Sequence, residues 1–255
     1  MLLEKINIIN LFYNSVKYNN ILIDKSIHSG YEGYWLEKKM NIKHNNLNNP
    51  DIYGFEMKKD AKKITFGDFS ASEYLFSKNK LFINNYNNIN ININRTEFIK
   101  FFGNKNLIKN RYSWSGSCFP KYNIWNYNGQ IITLNENNDI YIYYSFLKDN
   151  RVDKNNLPNY LKYNNILIAY WNNTKLKKNI NNKFNNNGFF ICKKKNNLYN
   201  KISFGKSFDF DYFIDNYKKY NIILDSGMYD GNIRNYSLFR STNNKFWNKL
   251  IIDEF

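Results

Sequence analysis

Apolar residues recur along this chain with two different periods, and the change from one to the other is its first organising feature. Leu2, Ile6, Ile9, Tyr13 and Val16, widened by Leu3 and Phe12, return every three or four positions and predict an amphipathic first helix with that stripe in the core. Residues 55–58 and 64–66 read as short strands, and 72–81 and 96–102 as helices, the second closed by Gly103. Beyond Arg111 the strand signal takes over. Strands are expected at 130–134 and 139–146 around the Asn135-Glu136-Asn137-Asn138 turn, then at 165–171, 188–193 and 202–204, with a helix over 210–219. Only three prolines punctuate the chain, and no Gly/Ser-rich joint or internal repeat interrupts it. The pattern therefore predicts an α/β protein of two closely packed lobes, residues 1–105 and 106–255.

With 255 residues, 43% hydrophobic and 19% aromatic, the chain can bury a real core, which excludes global disorder. Its 37 Lys and Arg exceed its 21 Asp and Glu to give +16, spread along the chain rather than gathered in a tail. Such a charge favours a polyanionic partner, most simply nucleic acid, although AT-rich coding would inflate lysine for solubility alone. Asn-rich runs such as Asn179-Ile180-Asn181-Asn182 are read as coding bias rather than function. Cys118 and Cys192, the only cysteines, form neither a metal nor a redox spacing, which predicts buried thiols in a reducing cytoplasm. The longest clean apolar run, Ile166 to Trp171, falls far short of the roughly 20 residues of a membrane span, so no membrane location is expected.

On a strand, residues i and i+2 share a face. Glu56-Met57-Lys58 would thus point Glu56 and Lys58 to one side, with Phe55 and Met57 toward the core. Asp51, ahead of the Tyr53-Gly54 bend, can bring its carboxylate beside that of Glu56. Phosphodiester hydrolysis needs hard oxygen ligands for Mg²⁺, a positioned water and relief of negative charge, because the attacked group is already anionic. Asp51, Glu56 and the Met57 carbonyl supply the ligands, and Lys58 orients the water and favours its deprotonation. An acid followed loosely by Glu-x-Lys also arises by chance in a lysine-rich chain. Asp24 with Glu37-Lys38-Lys39 is such a match; there Leu36 and Met40 at helical spacing argue for a solvated helix face, whereas Asp51 has Pro50 before it and a strand pattern after it. Lys59, Lys62 and Lys63 follow the strand and either grip phosphates flanking the scissile bond or form a solvated run. His28 and His44 lack ligand spacing and receive no role.

Gly33-Tyr34-Trp35-Leu36-Glu37, then Pro50-Asp51 and Glu56-Met57-Lys58 with four residues between Asp51 and Glu56, resembles the MvaI/BcnI group of type II restriction endonucleases. That group is related in fold to the mismatch-repair nickase MutH. The resemblance implies a PD-(D/E)xK nuclease core, a mixed β-sheet flanked by helices in a MutH-like two-lobed cleft, with residues 1–105 catalytic and 106–255 reading the DNA. It also implies that Glu37 joins Asp51, Glu56 and Lys58 at the active-site edge and that Mg²⁺ is the cofactor. Arg111-Tyr112-Ser113-Trp114-Ser115-Gly116-Ser117 and the stretch 225–247, containing Arg234-Asn235 and Arg240, then belong to the recognition lobe. Their residue types suit base reading, since Arg pairs bidentately with guanine, Asn with adenine, and aromatic rings stack or wedge. Each has a plainer reading, with Arg111 or Arg240 in salt bridges and Trp114 and Trp247 in the core. The implied function is Mg²⁺-dependent, site-specific hydrolysis of double-stranded DNA leaving 5′-phosphates, by a monomer that cuts one strand per engagement beside a cognate methyltransferase. A MutH-like repair nickase and a noncatalytic nucleic-acid-binding protein are the alternatives.

Overall fold

The computed structural model describes residues 2–19, 30–43, 48–88 and 90–255; Asp24, His28 and His44 lie outside the described residues. Helices α1 (Leu2–Ser15) and α2 (Tyr31–Lys39) are followed by strands β1 (Glu56–Lys59), β2 (Lys63–Asp68) and β3 (Glu73–Tyr74), then by helices α3 (Leu81–Asn87) and α4 (Arg95–Phe102). Next come β4 (Asn104–Asn106), β5 (Arg111–Trp114), β6 (Asn128–Leu134), β7 (Ile140–Asp149) and β8 (Ile166–Trp171). Helix α5 (Asn173–Phe184) precedes β9 (Phe189–Lys195) and β10 (Leu198–Gly205). Helix α6 (Phe210–Lys218) precedes β11 (Ile223–Ser226), β12 (Met228–Tyr229) and β13 (Ser237–Thr242). A π-helical turn (Asn243–Trp247), the short α7 (Asn248–Leu250) and β14 (Ile251–Glu254) follow. No helix among the described residues is long and apolar enough to cross a membrane.

These elements form two compact units that interleave in sequence. One holds Met1–Ile64, Lys177–Ile222 and Ser241–Phe255; the other holds Thr65–Leu176 and Ile223–Arg240. Where the hydrophobic pattern suggests one division near residue 105, the chain crosses between units four times, because β9, β10 and β14 return to complete the sheet begun by β1.

In the first unit β1 runs parallel to β9, with Glu56 opposite Phe189, while β10 pairs antiparallel with both β9 and β14. The result is a mixed four-stranded sheet. Ile8, Phe12, Leu36 and Met40 from the helical side pack with Phe55, Met57, Phe190, Cys192 and Phe204 from the sheet. The α1 stripe is rotated from the expected one: Ile8, Phe12 and Val16 are buried, whereas Leu2, Leu3, Ile6 and Tyr13 are exposed. Lys5 accounts for the rotation, since its stem lies on the sheet side, with the ammonium 2.6 Å from Asp253 and over the Phe204 ring. Helix α5 lies in a stretch whose Asn-richness suggests only coding bias, yet Leu176, Ile180 and Phe184 are buried along it at i, i+4 and i+8.

In the second unit β3, β8, β7 and β6 form an antiparallel sheet whose strand β8 is buried along its whole length. The helix expected over 72–81 does not form. Glu73 and Tyr74 instead pair with Tyr170 and Ala169, and the Tyr74 and Ser237 hydroxyls share a 2.8 Å hydrogen bond, so that α3 begins only at Leu81. Helix α4 forms as expected, behind a capping box in which the Asn94 side chain accepts from the Glu97 N–H at 3.0 Å and the Glu97 carboxylate accepts from the Asn94 N–H at 2.8 Å. At its end Gly103 is required by close approach, because a Cβ would sit 2.5 Å from the carbonyl oxygens of Ile99 and Ser113. Two three-stranded sheets, β12-β5-β4 and β11-β13-β2, complete the unit. Cys118 and Cys192 are buried free thiols, as their spacing implied.

Candidate active site

The site begins with a turn that only certain residues can make. Tyr53 and Gly54 both have positive φ, 48° and 78°, within a two-residue turn closed by the Ile52–Phe55 bridge. This reversal lays Asp51 alongside β1, where one carboxylate oxygen accepts the Met57 N–H at 2.9 Å. The turn is stitched to the loop after α5. The Asn187 N–H donates to the Gly54 carbonyl at 3.0 Å, its side-chain amide donates to the Tyr53 carbonyl at 2.8 Å, and the Glu56 N–H donates to the Gly188 carbonyl at 3.0 Å. Those bonds carry the C-terminal end of α5, and with it Lys183, to β1.

Glu56 is 3% exposed. Its Oε1 accepts Lys58 Nζ at 2.8 Å and faces Lys183 Nζ at 3.1 Å, while Oε2 is buried without a hydrogen-bond partner. Burial and the neighbouring Glu56 charge push the Asp51 carboxyl up to about 7, against the pull of Lys58, the Met57 N–H and Lys183. Burial holds the Lys58 ammonium below its ordinary range and the Lys183 charge adds to that, with Glu56 opposing. An orphaned anionic oxygen beside a second carboxylate is the pattern that a hard cation satisfies. Among the described residues no three His, Cys, Asp or Glu side chains gather as a cage; the donors that could hold a metal here are the two carboxylates and the Met57 carbonyl, hard oxygens of the kind that suit a divalent cation sharing its shell with water and phosphate.

The model of the LlaMI restriction endonuclease family matches residues 15–255. The type II restriction enzyme ScrFI of Lactococcus lactis subsp. cremoris is 40% identical, over 89% of this chain and 88% of that enzyme. The chain belongs to the LlaMI restriction endonuclease family. As a member of that family it is a type II site-specific deoxyribonuclease, a hydrolase. The solved complex of restriction endonuclease MvaI with its cognate DNA substrate has the same fold, with a TM-score of 0.60 at 15% identity over 100% of this chain and 96% of that one.

In this LlaMI-family chain the other candidates for the catalytic side are divided by the strand's alternation. Lys59 faces away from Lys58 and pairs with Glu32 of α2 at 2.8 Å; Lys194 also pairs with Glu32, and Tyr199 donates to it at 3.1 Å. Lys59 is thus tied to α2 by an ion pair, with 32% of its side-chain surface exposed. Lys62 and Lys63 are exposed. Glu37 is half-buried on α2 and lines a pocket with Tyr34, Lys38 and Lys43.

The second unit brings the two candidate reading stretches together, because Tyr229 and Met228 pair with Ser113 and Trp114. The Arg111 guanidinium lies 3.8 Å from the Tyr229 ring centroid. The Tyr112 N–H donates to the Asp230 carboxylate at 3.1 Å and the Tyr112 carbonyl accepts the Asp230 N–H at 3.1 Å, while Ser115 opens the turn at Gly116, whose N–H donates to the Asp225 carboxylate at 3.1 Å. Arg240 lies 3.9 Å from the same carboxylate. Arg234 is 65% exposed beside Asp68. One candidate is corrected. Trp114 is fully buried, donates its indole N–H to Gln130 at 2.8 Å and packs edge-on against Phe98, so it supports the region from within. The Asn235 side chain is engaged by Arg95 at 2.8 Å. Lys183 is not legible as a neighbour of the candidate carboxylates; its one sequence signal is its place beside Phe184 in the buried α5 spacing.

Proposed function

We propose that this enzyme hydrolyses double-stranded DNA at a short specific sequence, with Asp51, Glu56, Lys58 and Lys183 as its catalytic centre, Glu37 at the edge of that centre and Mg²⁺ as cofactor. The observation that carries the reading is the buried, unpartnered Oε2 of Glu56 beside Asp51, with both lysines on the opposite oxygen. Asp51, Glu56 and the Met57 carbonyl would hold the Mg²⁺, whose Lewis acidity would draw charge from the phosphate. Lys58 donates a hydrogen bond to the attacking water and its charge favours deprotonation of that water. Lys183 offsets negative charge building on the phosphate. The water gives up a proton to solvent as its oxygen bonds to phosphorus, the bond from phosphorus to the 3′ oxygen breaks, and that oxygen takes a proton from solvent, leaving a 5′-phosphate and a 3′-hydroxyl. Lys62 and Lys63 neutralise backbone phosphates, and Arg111, Arg234 and Arg240 meet base edges, with Tyr112, Ser113 and Ser115 beside them.

One such set per chain cuts one strand at a time, so the enzyme acts as a monomer that nicks and then re-engages, with a cognate methyltransferase shielding host sites. The test is purified protein on unmethylated phage DNA with and without Mg²⁺, followed by sequencing of the ends. Discrete fragments with 5′-phosphates, only with the metal, are expected; cleavage persisting in EDTA overturns the reading. A single-site plasmid should pass through a nicked form, and direct conversion to linear DNA by a stable dimer overturns the monomer.

A further inference from the structure

We propose that Arg95 is a positioning residue for target recognition, holding the 229–235 loop in one shape so that Ile233 and Arg234 meet the duplex already ordered. The inference rests on reading the second unit as the DNA-reading part. Arg95 is the first residue of α4, a helix anchored by its capping box and by buried Phe98, Ile99 and Phe102. A guanidinium has five N–H donors, and here all are directed at this one loop. Nε donates to the Asn235 side chain at 2.8 Å; Nη1 donates to the Tyr229 carbonyl at 3.2 Å and to the Asn232 carbonyl; Nη2 donates to the Asn232 side chain at 2.7 Å and the Arg234 carbonyl at 2.8 Å.

The tip these bonds organise stays largely in water, for Ile233 is 93% exposed and the Arg234 side chain 65%, with the guanidinium 4.6 Å from the Tyr236 ring centroid. An aliphatic residue left in water next to an arginine matches what enters a DNA groove, a wedge beside a phosphate or guanine ligand. The Arg234 pair with Asp68, at 3.3 Å on the surface, is weak enough to be exchanged for such a partner. Fixing the loop beforehand removes ordering cost from binding, and more so at the right sequence, where the contacts must all be made at once.

Arg95→Lys keeps the charge and loses the fork. With the cognate site mapped on the natural enzyme, preference for it over single-base-altered sites should fall at least about tenfold, while Mg²⁺-dependent cleavage of altered sites stays unchanged and trypsin cuts faster after Arg234. Arg234→Ala should lower the same preference, and the double variant should be no worse than Arg234→Ala alone. Faster tryptic cutting with preference intact, or additive losses in the double variant, overturns the proposal and leaves the nuclease reading standing. If Arg95→Lys shows no cooperative unfolding transition, Asn235→Ala, which removes the Nε acceptor, is put through the same measurements. A natural enzyme that cuts at no defined sequence removes the parent reading and this one with it.

Discussion

The candidate catalytic strand and the candidate reading region treat charge in opposite ways. Around β1, Glu56, Lys58 and Lys183 are nearly excluded from water and compensate one another within 2.8–3.1 Å. In the second unit Arg234 and Arg240 keep a third or more of their side-chain surface exposed, and their acidic partners lie at 3.3 and 3.9 Å. Burying a charge costs several kcal/mol per ion before pairing offsets it. That cost is tolerable where a strong, fixed field must act on a phosphate, and misplaced where a side chain must give up one partner for another as DNA arrives. Chemistry selects desolvated, preset charges; reading selects charges that remain exchangeable.

The sharpest break of this contrast is removal of one buried carboxylate. Asp51→Ala or Glu56→Ala should lower cleavage at least about 10³-fold, or roughly 4 kcal/mol of transition-state stabilisation, while metal-free DNA binding in a gel-shift assay stays near normal. Retained cleavage within tenfold would show that the buried pair is structural. Next in size is Trp114→Ala, which should destabilise the protein by about 3–5 kcal/mol in denaturant titration; an unchanged midpoint with lost DNA preference would return Trp114 to the reading surface.

A smaller effect is expected from Lys183→Ala, about 10–100-fold in kcat or roughly 1.4–2.7 kcal/mol, because Lys58 still holds Glu56. Mg²⁺ should sharpen the same point through stability. The Asp51 carboxyl sits at about 7 in the folded chain against an ordinary 3.8, so the folded state holds that proton more tightly. Its contribution to stability is present at low pH and is lost as pH rises from about 4 to 7. The gain in Tm on adding Mg²⁺ should therefore be larger at pH 8 than at pH 6, and Asp51→Asn should erase the difference. The smallest effect belongs to Glu254, held down to about 2 by bonds from Lys193, Ser203 and Lys201. Its stabilisation is present above an ordinary 4.5 and fades as pH falls toward 2; Glu254→Gln should cost under about 1 kcal/mol and less in high salt.

What the sequence reveals follows the range of the interactions. The Glu56/Lys58 alternation and the Tyr53-Gly54 turn are local, so the juxtaposition of Asp51 with Glu56 and Lys58 is legible from residues 51–58 alone. Lys183 reaches Glu56 only because β9 pairs with β1 and Asn187 binds the turn, a consequence of long-range pairing that no local spacing encodes. The α1 stripe is misread because Lys5 occupies a core-facing position with its charge on Asp253. Residues 72–81 are misread because pairing of Glu73 with Tyr170 outweighs helical propensity. Arg111 and Tyr229 are recognisable as types, while their stacking, like the five bonds of Arg95, depends on segments far apart in sequence.

The parallel pairing of β1 with β9 bears on how the enzyme is born. Asp51, Glu56 and Lys58 leave the ribosome long before Lys183 and the Phe189 strand that fixes them, and at about 5–20 residues per second the gap lasts several seconds or more. During that interval a nascent chain carries the acidic residues of a nuclease without the sheet that holds them in place. The strand that pairs with Glu56 and Lys58 is absent until translation has passed Phe189, and a chain terminated before that point carries Asp51, Glu56 and Lys58 without it.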